Sequence, residues 1–398
     1  MRAPALLLLL VACGAALRAE EVTYQIEVDS GAYDRHACAI TVELPSGSEA
    51  GAWILRGEDG VALPVGVDDS AIAHAILPDL AKGTRQRFRL AKAPASATSP
   101  LSVRVAGDAL TFAADGRELA TYQGGPGELP VGYAEAFRRG GYLARLCTPA
   151  GALVTDDYPP NHRHHHGVWF SWTKTAFEGR SPDFWNMGDK TGTVEAVARS
   201  QPWQGALWAG FHATHRYRDL KPLPAVTVLD ETWNVTVQAP QGPSPALVID
   251  LVVGQRCATT DPLVLPTYHY GGLGVRGNRA WDGKDDFKVL SSEGKVRADA
   301  DHTRGRWCHL GGLIDGHLAG IAVLCHPGNL RSPQPMRVHP SEPFFCYAPS
   351  QLGEWSITPG EPLVLRYRLV ITDGAPDAAD LDRRWRDWAE PPTVTVVR

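Results

Sequence analysis

The chain reads as mainly β: a small N-terminal β-sandwich, then a large antiparallel two-sheet sandwich, then one short C-terminal helix. Three observations predict this. Short segments alternate apolar and polar residues from about residue 21 to 90. Longer segments do the same between 101 and 373. No run with helical period separates these strands, as a βαβ fold would require.

The first unit spans 20–95. Val22-Thr23-Tyr24-Gln25-Ile26-Glu27-Val28 and Ala39-Ile40-Thr41-Val42-Glu43-Leu44 alternate with the period of two that puts one face on a core. Ala52-Trp53-Ile54-Leu55 precedes the turn Glu58-Asp59-Gly60, and Arg85-Gln86-Arg87-Phe88-Arg89-Leu90 closes the set. Residues 91–100, rich in Ala, Pro and Ser, read as a linker. The second unit spans 101–375. It opens with strands at 101–105, 109–112 and 119–122 and continues at 192–198, 210–217, 225–237, 247–254, 320–324 and 363–372. Strands of this length in one unit predict two packed sheets. In the last stretch, 376–398, Asp377 can cap a helix whose Leu381, Trp385 and Trp388 fall on one face, with Arg383 and Arg386 outward and Pro391 as its stop.

The N-terminus reads as an export signal. Met1-Arg2 is followed by an unbroken apolar run from Ala5 to Ala12, too short for a stable membrane anchor. Leu10-Val11-Ala12-Cys13 has the form of a lipobox that would place a lipid on Cys13; Leu17-Arg18-Ala19 would instead be cut after Ala19, making 1–19 a signal peptide. The mature chain is then expected outside the cytoplasm: periplasmic, tethered to the outer membrane, or secreted. A membrane is a partner only through a lipid at Cys13.

Six further cysteines, Cys38, Cys147, Cys257, Cys308, Cys325 and Cys346, form no CxxC pair. Spacing leaves Cys308–Cys325 or Cys325–Cys346 bridges and buried free thiols both open. The formal charge is −5, and the positive residues are scattered, which argues against a nucleic-acid partner. Forty Gly, thirty-one Pro and twelve Trp against three Met fit a strand-and-turn protein, and exposed Trp faces would suit a sugar ring.

Three segments carry candidate chemistry. In Asp156-Asp157-Tyr158-Pro159-Pro160-Asn161-His162-Arg163-His164-His165-His166-Gly167, four imidazoles sit within five residues. An extended backbone would put His162, His164 and His166 on one face and His165 on the other. His-x-His on a strand is one way to present two imidazoles to a divalent metal. The second segment is Pro266-Thr267-Tyr268-His269-Tyr270-Gly271-Gly272-Leu273-Gly274. Here His269 is a third metal ligand or a general base, Tyr268 or Tyr270 a donor to a ligand oxygen, and the glycines would let a ligand approach the backbone. Arg276 beyond it either binds an anion or pairs with an acid. The third joins His326-Pro327-Gly328-Asn329-Leu330-Arg331-Ser332-Pro333 to His339-Pro340-Ser341-Glu342-Pro343. Arg331 would hold or stabilise negative charge, and Glu342 is a candidate acid or base.

These segments resemble an uncharacterised bacterial family known as PmoA-like. The matching pieces are the run at 157–170, Tyr-His-Tyr-Gly-Gly-Leu-Gly at 268–274, His-Pro-x-Asn-x-Arg-x-Pro at 326–333 and the ending from Pro359 to Arg368. Arg163 stands where that family has Pro, and His166 where Arg is common, so His162, His164 and His165 carry over best. The resemblance implies company with sugar-degrading genes. The strand pattern is also similar to the galactose-mutarotase type of sandwich, an analogy of fold only.

Three functions follow as expectations. The first is an exported carbohydrate-active enzyme of epimerase, lyase or hydrolase type. There His165 or His269 serves as acid or base and Arg331 and Tyr268 position the substrate, with a divalent metal as an optional aid. The second is a copper-dependent oxidase with His162, His164 and His269 as ligands. The third is a sugar-binding module without chemistry, using Trp169, Trp172 and Trp185 as platforms.

Overall fold

The computed structural model describes residues 23–94, 99–242, 244–283 and 287–397. The export segment with Cys13, and residues 95–98 of the linker, lie outside the described residues. The chain is mainly β, in several antiparallel sheets, with one short α-helix near its C-terminal end.

The first unit is a seven-stranded antiparallel sheet that curls until its end strands, Ala39–Glu43 and Thr393–Val397, lie against each other. Alternation explains its interior. Ile26, Val28, Ile40, Val42, Trp53, Leu55, Val65, Val67, Phe88 and Leu90 form one apolar core. The strand Thr393–Val397 had read as part of a tail. It pairs with Thr23–Asp29 in the register Ile26↔Val396 and Val28↔Val394, so both ends of the described chain close this sheet.

The second unit is the expected two-sheet sandwich. One sheet runs in the order Met336–Val338, Phe344–Tyr347, Gly272–Arg276, Val168–Ser171, Tyr142–Leu146, Arg117–Gln123, Ala109–Ala114, Leu101–Ala106. The other is built on Trp208–Asp219, Val226–Gln238, Leu247–Cys257 and Leu363–Asp373, flanked by Gly192–Arg199 and by His317–Cys325, Trp307–Ile314 and Lys288–Ser291. Their facing sides share one large core, to which Phe170, Leu273, Val275, Phe345 and Tyr347 contribute from the first sheet and Trp233, Val235, Leu251, Ile321 and Leu369 from the second. Fully burying a side chain of this size stabilises a fold by about 1.5–3 kcal/mol. The sandwich is therefore the rigid frame on which the site hangs.

The helix Ala378–Ala389 is capped by Asp377, whose Oδ1 accepts from the N–H of Ala379 at 2.9 Å and of Asp380 at 3.2 Å. Leu381, Trp385 and Trp388 pack on Ala246, Val248, Ala322, Leu324 and Val370 on the outer face of the second sheet. Its other side meets the N-terminal unit, where buried Arg35 donates to Asp387 Oδ1 at 2.9 Å and Arg383 donates to the carbonyl of His36 at 2.8 Å. Arg383 and Arg386 therefore face the first unit as well as solvent. A second seam has His74 stacked on Trp203 with ring centroids 5.4 Å apart. All six described cysteines are free thiols, and no helix among the described residues is long and apolar enough to cross a membrane.

Candidate functional site

The site lies on the outer face of the first sandwich sheet. Side chains alternate across these strands, so Trp169, Phe344 and Cys346 point away from the main core. With Tyr142, Trp185 and Ala348 they form a second buried aromatic cluster. Gly274 pairs with both Trp169 and Cys346 in this sheet. A methyl group there would meet Trp169 and Trp185 at 2.8 Å. At Gly272 (φ +113°) it would meet the carbonyl oxygen of Tyr347 at 2.5 Å. The glycines of this strand thus make room for indole rings and a neighbouring strand, where the sequence had suggested room for a ligand. Trp169, Trp172 and Trp185 are all almost fully buried and offer no open platform, although Trp185 borders a cavity.

Residues 162–166 are not a strand. The N–H of His162 donates to the carbonyl of Pro159 at 3.0 Å, and that of His165 to the carbonyl of His162 at 2.8 Å, which winds the segment into turns. The strand begins only at Val168. The expected alternation therefore fails. His162, His164 and His165 share one cavity, and His166 points elsewhere, with Nδ1 2.7 Å from Asp157 Oδ1 and its ring 4.2 Å from that of Tyr142.

The cavity holds about 240 Å³ and is lined by His162, His164, His165, His269 and His339, together with Trp185, Asn186, Tyr270, Arg337 and Phe344. His165 is stacked between His162 and Phe344, each 4.6 Å from it between ring centroids. His164 meets His165 edge-on at 4.7 Å. Burial disfavours the charged imidazolium. It holds His162, His165 and His339 below the usual imidazole range and brings His164 down to about 4. His269 is lowered by burial and, secondarily, by the charge of Arg337. Five imidazoles thus face one cavity in the neutral form at neutral pH. The opposite wall is fixed by Asp183. Its Oδ1 accepts from the backbone N–H of Trp185 at 3.0 Å and of Asn186 at 2.8 Å, and its Oδ2 from Thr173 Oγ1 and Asn186 Nδ2, both at 2.9 Å. Asn186 Nδ2 also reaches the hydroxyl of Tyr270 at 3.0 Å, and burial pushes that phenol up to about 12.

Behind His162 lies a charged chain. Glu342 Oε2 is 2.7 Å from His162 Nδ1, a close contact that lies off the direction of an ideal ring N–H hydrogen bond. The same oxygen accepts from Arg276 Nη1 at 2.7 Å, and Arg276 Nη2 pairs with Asp282. Arg276 is wholly buried, so the two carboxylates are its counter-charges.

The expected metal ligands His162, His164 and His269 do not form a compact donor set among the described residues. The compact set is His162, His339 and Glu342, whose donor atoms lie within 4.8 Å of one another. Its chemistry fits a metal poorly. His339 Nδ1 accepts from the backbone N–H of Glu342 at 3.1 Å and of Ser341 at 3.3 Å, which leaves the ring proton on Nε2 in the neutral form. Glu342 already shares its near oxygen with Arg276. The group is better suited to holding and passing a proton.

Of the other residues singled out in the sequence, Tyr268 lies beside the cavity and not in its lining, with its ring 4.4 Å from that of His269 and Lys174 over its face at 5.9 Å. Arg331 is turned away from the cavity. It donates to the carbonyls of Pro349 at 2.8 Å, Gly353 at 2.7 Å and Glu354 at 3.2 Å and clamps that loop. Asn329 likewise ties down the backbone of Arg366, and His326 packs edge-on against Trp388. The third motif thus splits: its first half is structural, and its second half, His339 and Glu342, belongs to the site. Sequence reasoning missed Arg337 and Asn186. Arg337 sits on a strand of three residues and Asn186 in a loop, and neither place has a period to reveal it.

A larger concavity, about 710 Å³, lies on the N-terminal unit. It is lined by Glu27, Glu58, Asp59, Asp79, Arg85 and Arg87 among others and contains no imidazole or thiol.

Among the solved structures that resemble the chain are two from Enterococcus faecalis. One is a protein of glycosyl hydrolase family 38 from Enterococcus faecalis, at 8% identity and a TM-score of 0.41, matching 94% of this chain and 47% of that one. The other is an alpha-mannosidase from Enterococcus faecalis V583, at 10% identity and a TM-score of 0.38, matching 94% of this chain and 46% of that one. The chain spans about half the length of each, and neither informs the site. No curated protein matches it. One family pattern does, over residues 109–386, which takes in the turn of histidines, the cavity walls and most of the helix: this chain belongs to the family of unknown function DUF6807.

Proposed function

We propose that this protein is an exported carbohydrate-active enzyme that moves protons at a single sugar unit, with His162 as acid–base group and Glu342 orienting it. The observation that carries this reading is the convergence of five neutral imidazoles on one small cavity walled by Trp185 and Phe344. Neutral imidazole is the form that accepts a proton, and its ordinary pKa lies near working pH. Trp185 and Phe344 give the cavity apolar walls that suit the C–H groups of a sugar, while Asn186, Tyr270 and Arg337 suit its hydroxyls. A cavity of about 240 Å³ lies just below the usual range of ligand sites, which favours one ring over an oligosaccharide.

In this scheme His162 Nε2 takes the proton, and the negative charge of Glu342 stabilises the imidazolium that forms. Arg276 holds Glu342 in place. His165, stacked beneath His162, fixes the ring plane. The PmoA-like resemblance of the motif segments adds the association with sugar degradation, and the apolar run at 5–12 adds export.

The reading is tested by screening monosaccharides, disaccharides and keto-sugars, with added divalent metal and with a chelator. Turnover by the wild type that survives chelation and is lost in His162→Ala, with sugar affinity retained, is the expected result. Sugar binding without turnover by any variant would favour a non-catalytic module.

A further inference from the structure

We infer that the sugar this cavity takes is acidic, a uronate whose carboxylate docks on Arg337; the inference rests on the carbohydrate reading above. Arg337 lies on the edge strand Met336–Val338, opposite Cys346. Met336 and Val338 point into the main core, which turns Arg337 to the cavity side. The arginine is fixed from behind: Nη1 pairs with Asp301 Oδ2, and Asp301 Oδ1 accepts from the N–H of Val338 at 3.0 Å. His302 Nδ1 shares Asp301 Oδ2 at 3.0 Å. Among the described residues no hydrogen bond engages Arg337 Nε or Nη2, and neither atom is sealed from solvent.

The charges around the cavity point the same way. No carboxylate is among the lining residues. Glu342, behind His162, is paired with Arg276, and Asp183, behind Asn186, has both oxygens occupied. Arg337 is therefore the charged member of the lining, and the Nε2–H of His339 is a further donor on the same walls. A guanidinium with two free N–H groups on a half-buried wall is matched best by a carboxylate, which accepts two parallel charge-assisted bonds. Asp301 already balances the charge of Arg337 from behind, so a neutral hexose would be held only by single bonds from the open N–H groups to its hydroxyls, without the charge-assisted pair a carboxylate makes.

The test is calorimetric titration in chelator-containing buffer at pH 7.5 with D-glucuronate and D-galacturonate, each against its neutral parent, D-glucose or D-galactose. The wild type is expected to bind at least one uronate about tenfold or more tighter than the parent hexose. Arg337→Gln should bring that pair to within about twofold, and Arg337→Lys should keep part of the preference. Circular dichroism checks that the variants fold, and the wild-type comparison stands without them. Equal binding of hexose and uronate by the wild type, or a uronate preference that survives in folded Arg337→Gln, overturns the inference and leaves the carbohydrate reading intact. Binding of neither sugar by the wild type overturns both.

Discussion

Glu342 Oε2 lies 2.7 Å from Nδ1 of His162, and the same carboxylate is held by the buried guanidinium of Arg276. The pair joins two distant segments, brought together because Val168–Ser171, which follows His162, and Phe344–Tyr347, which follows Glu342, both pair with Gly272–Arg276. If His162 is the acid–base group, Glu342→Gln should lower kcat by about tenfold or more with a smaller effect on KM. Glu342 raises the His162 pKa against the opposing effect of burial. The acid limb of the pH–kcat profile should therefore move to lower pH in the variant. An unmoved limb would show that His162 is not the titrating group.

Two imidazoles set a stability window in acid. His309 is fully buried, with neither ring nitrogen hydrogen-bonded, and burial brings it down to about 4; His164 is brought to the same value. In the unfolded chain both titrate near 6.5. Between those values the unfolded state binds protons that the folded state refuses, so the contribution of these two groups to stability falls as pH drops from 6.5 towards 4 and levels off below. His309 alone accounts for up to about 3 kcal/mol of this loss. Urea unfolding of His309→Leu across that range should show a flatter dependence than the wild type. An equally steep one would assign the loss to other groups.

Gly274 supports the cavity from beneath. A methyl group at this position meets Trp169 and Trp185 at 2.8 Å, and Trp185 is a cavity wall. Gly274→Ala should cost about 1–3 kcal/mol by overpacking and weaken sugar binding as Trp185 is displaced. Denaturation and titration of the same variant check both effects. Undisturbed binding would mean that the Trp185 face is not in contact with the ligand.

The C-terminal helix fastens the two units through Arg35 and Asp387, both nearly sealed from solvent. Removing one partner of a buried pair leaves the other charge stranded. Asp387→Ala should destabilise the protein by about 3–5 kcal/mol in urea unfolding, with Arg35 keeping, among the described residues, the carbonyl of Ser30 as acceptor and the ring face of Tyr33. A loss under about 1 kcal/mol would place the pair among weak surface contacts.

The sandwich was legible because a period of two is a local signal. Val226–Gln238 alternates buried and less buried positions through most of its length, and its neighbours do likewise. The helix was legible from Asp377 and the face formed by Leu381, Trp385 and Trp388. The C-terminal strand Thr393–Val397 was not, because five alternating residues after a helix have no partner until Thr23–Asp29 supplies one. Within the site, the residue types at 162–165, 269 and 342 were evident, and their arrangement was not. Period-two reasoning presumes an extended chain, and Pro159 and His162 instead offer carbonyls that close turns. Arg331 and Arg337 are six residues apart in similar surroundings. Only the pairing of Met336–Val338 with Phe344–Tyr347 decides which of them faces the histidines.

The most direct test of the central claim compares wild type with His162→Ala on any sugar the screen identifies, measuring kcat and binding separately in the presence of chelator. The account predicts a fall in kcat of about 10²-fold or more with affinity changed only a few-fold. Turnover that is unaffected by the substitution, or that disappears on chelation of the wild type, would contradict it.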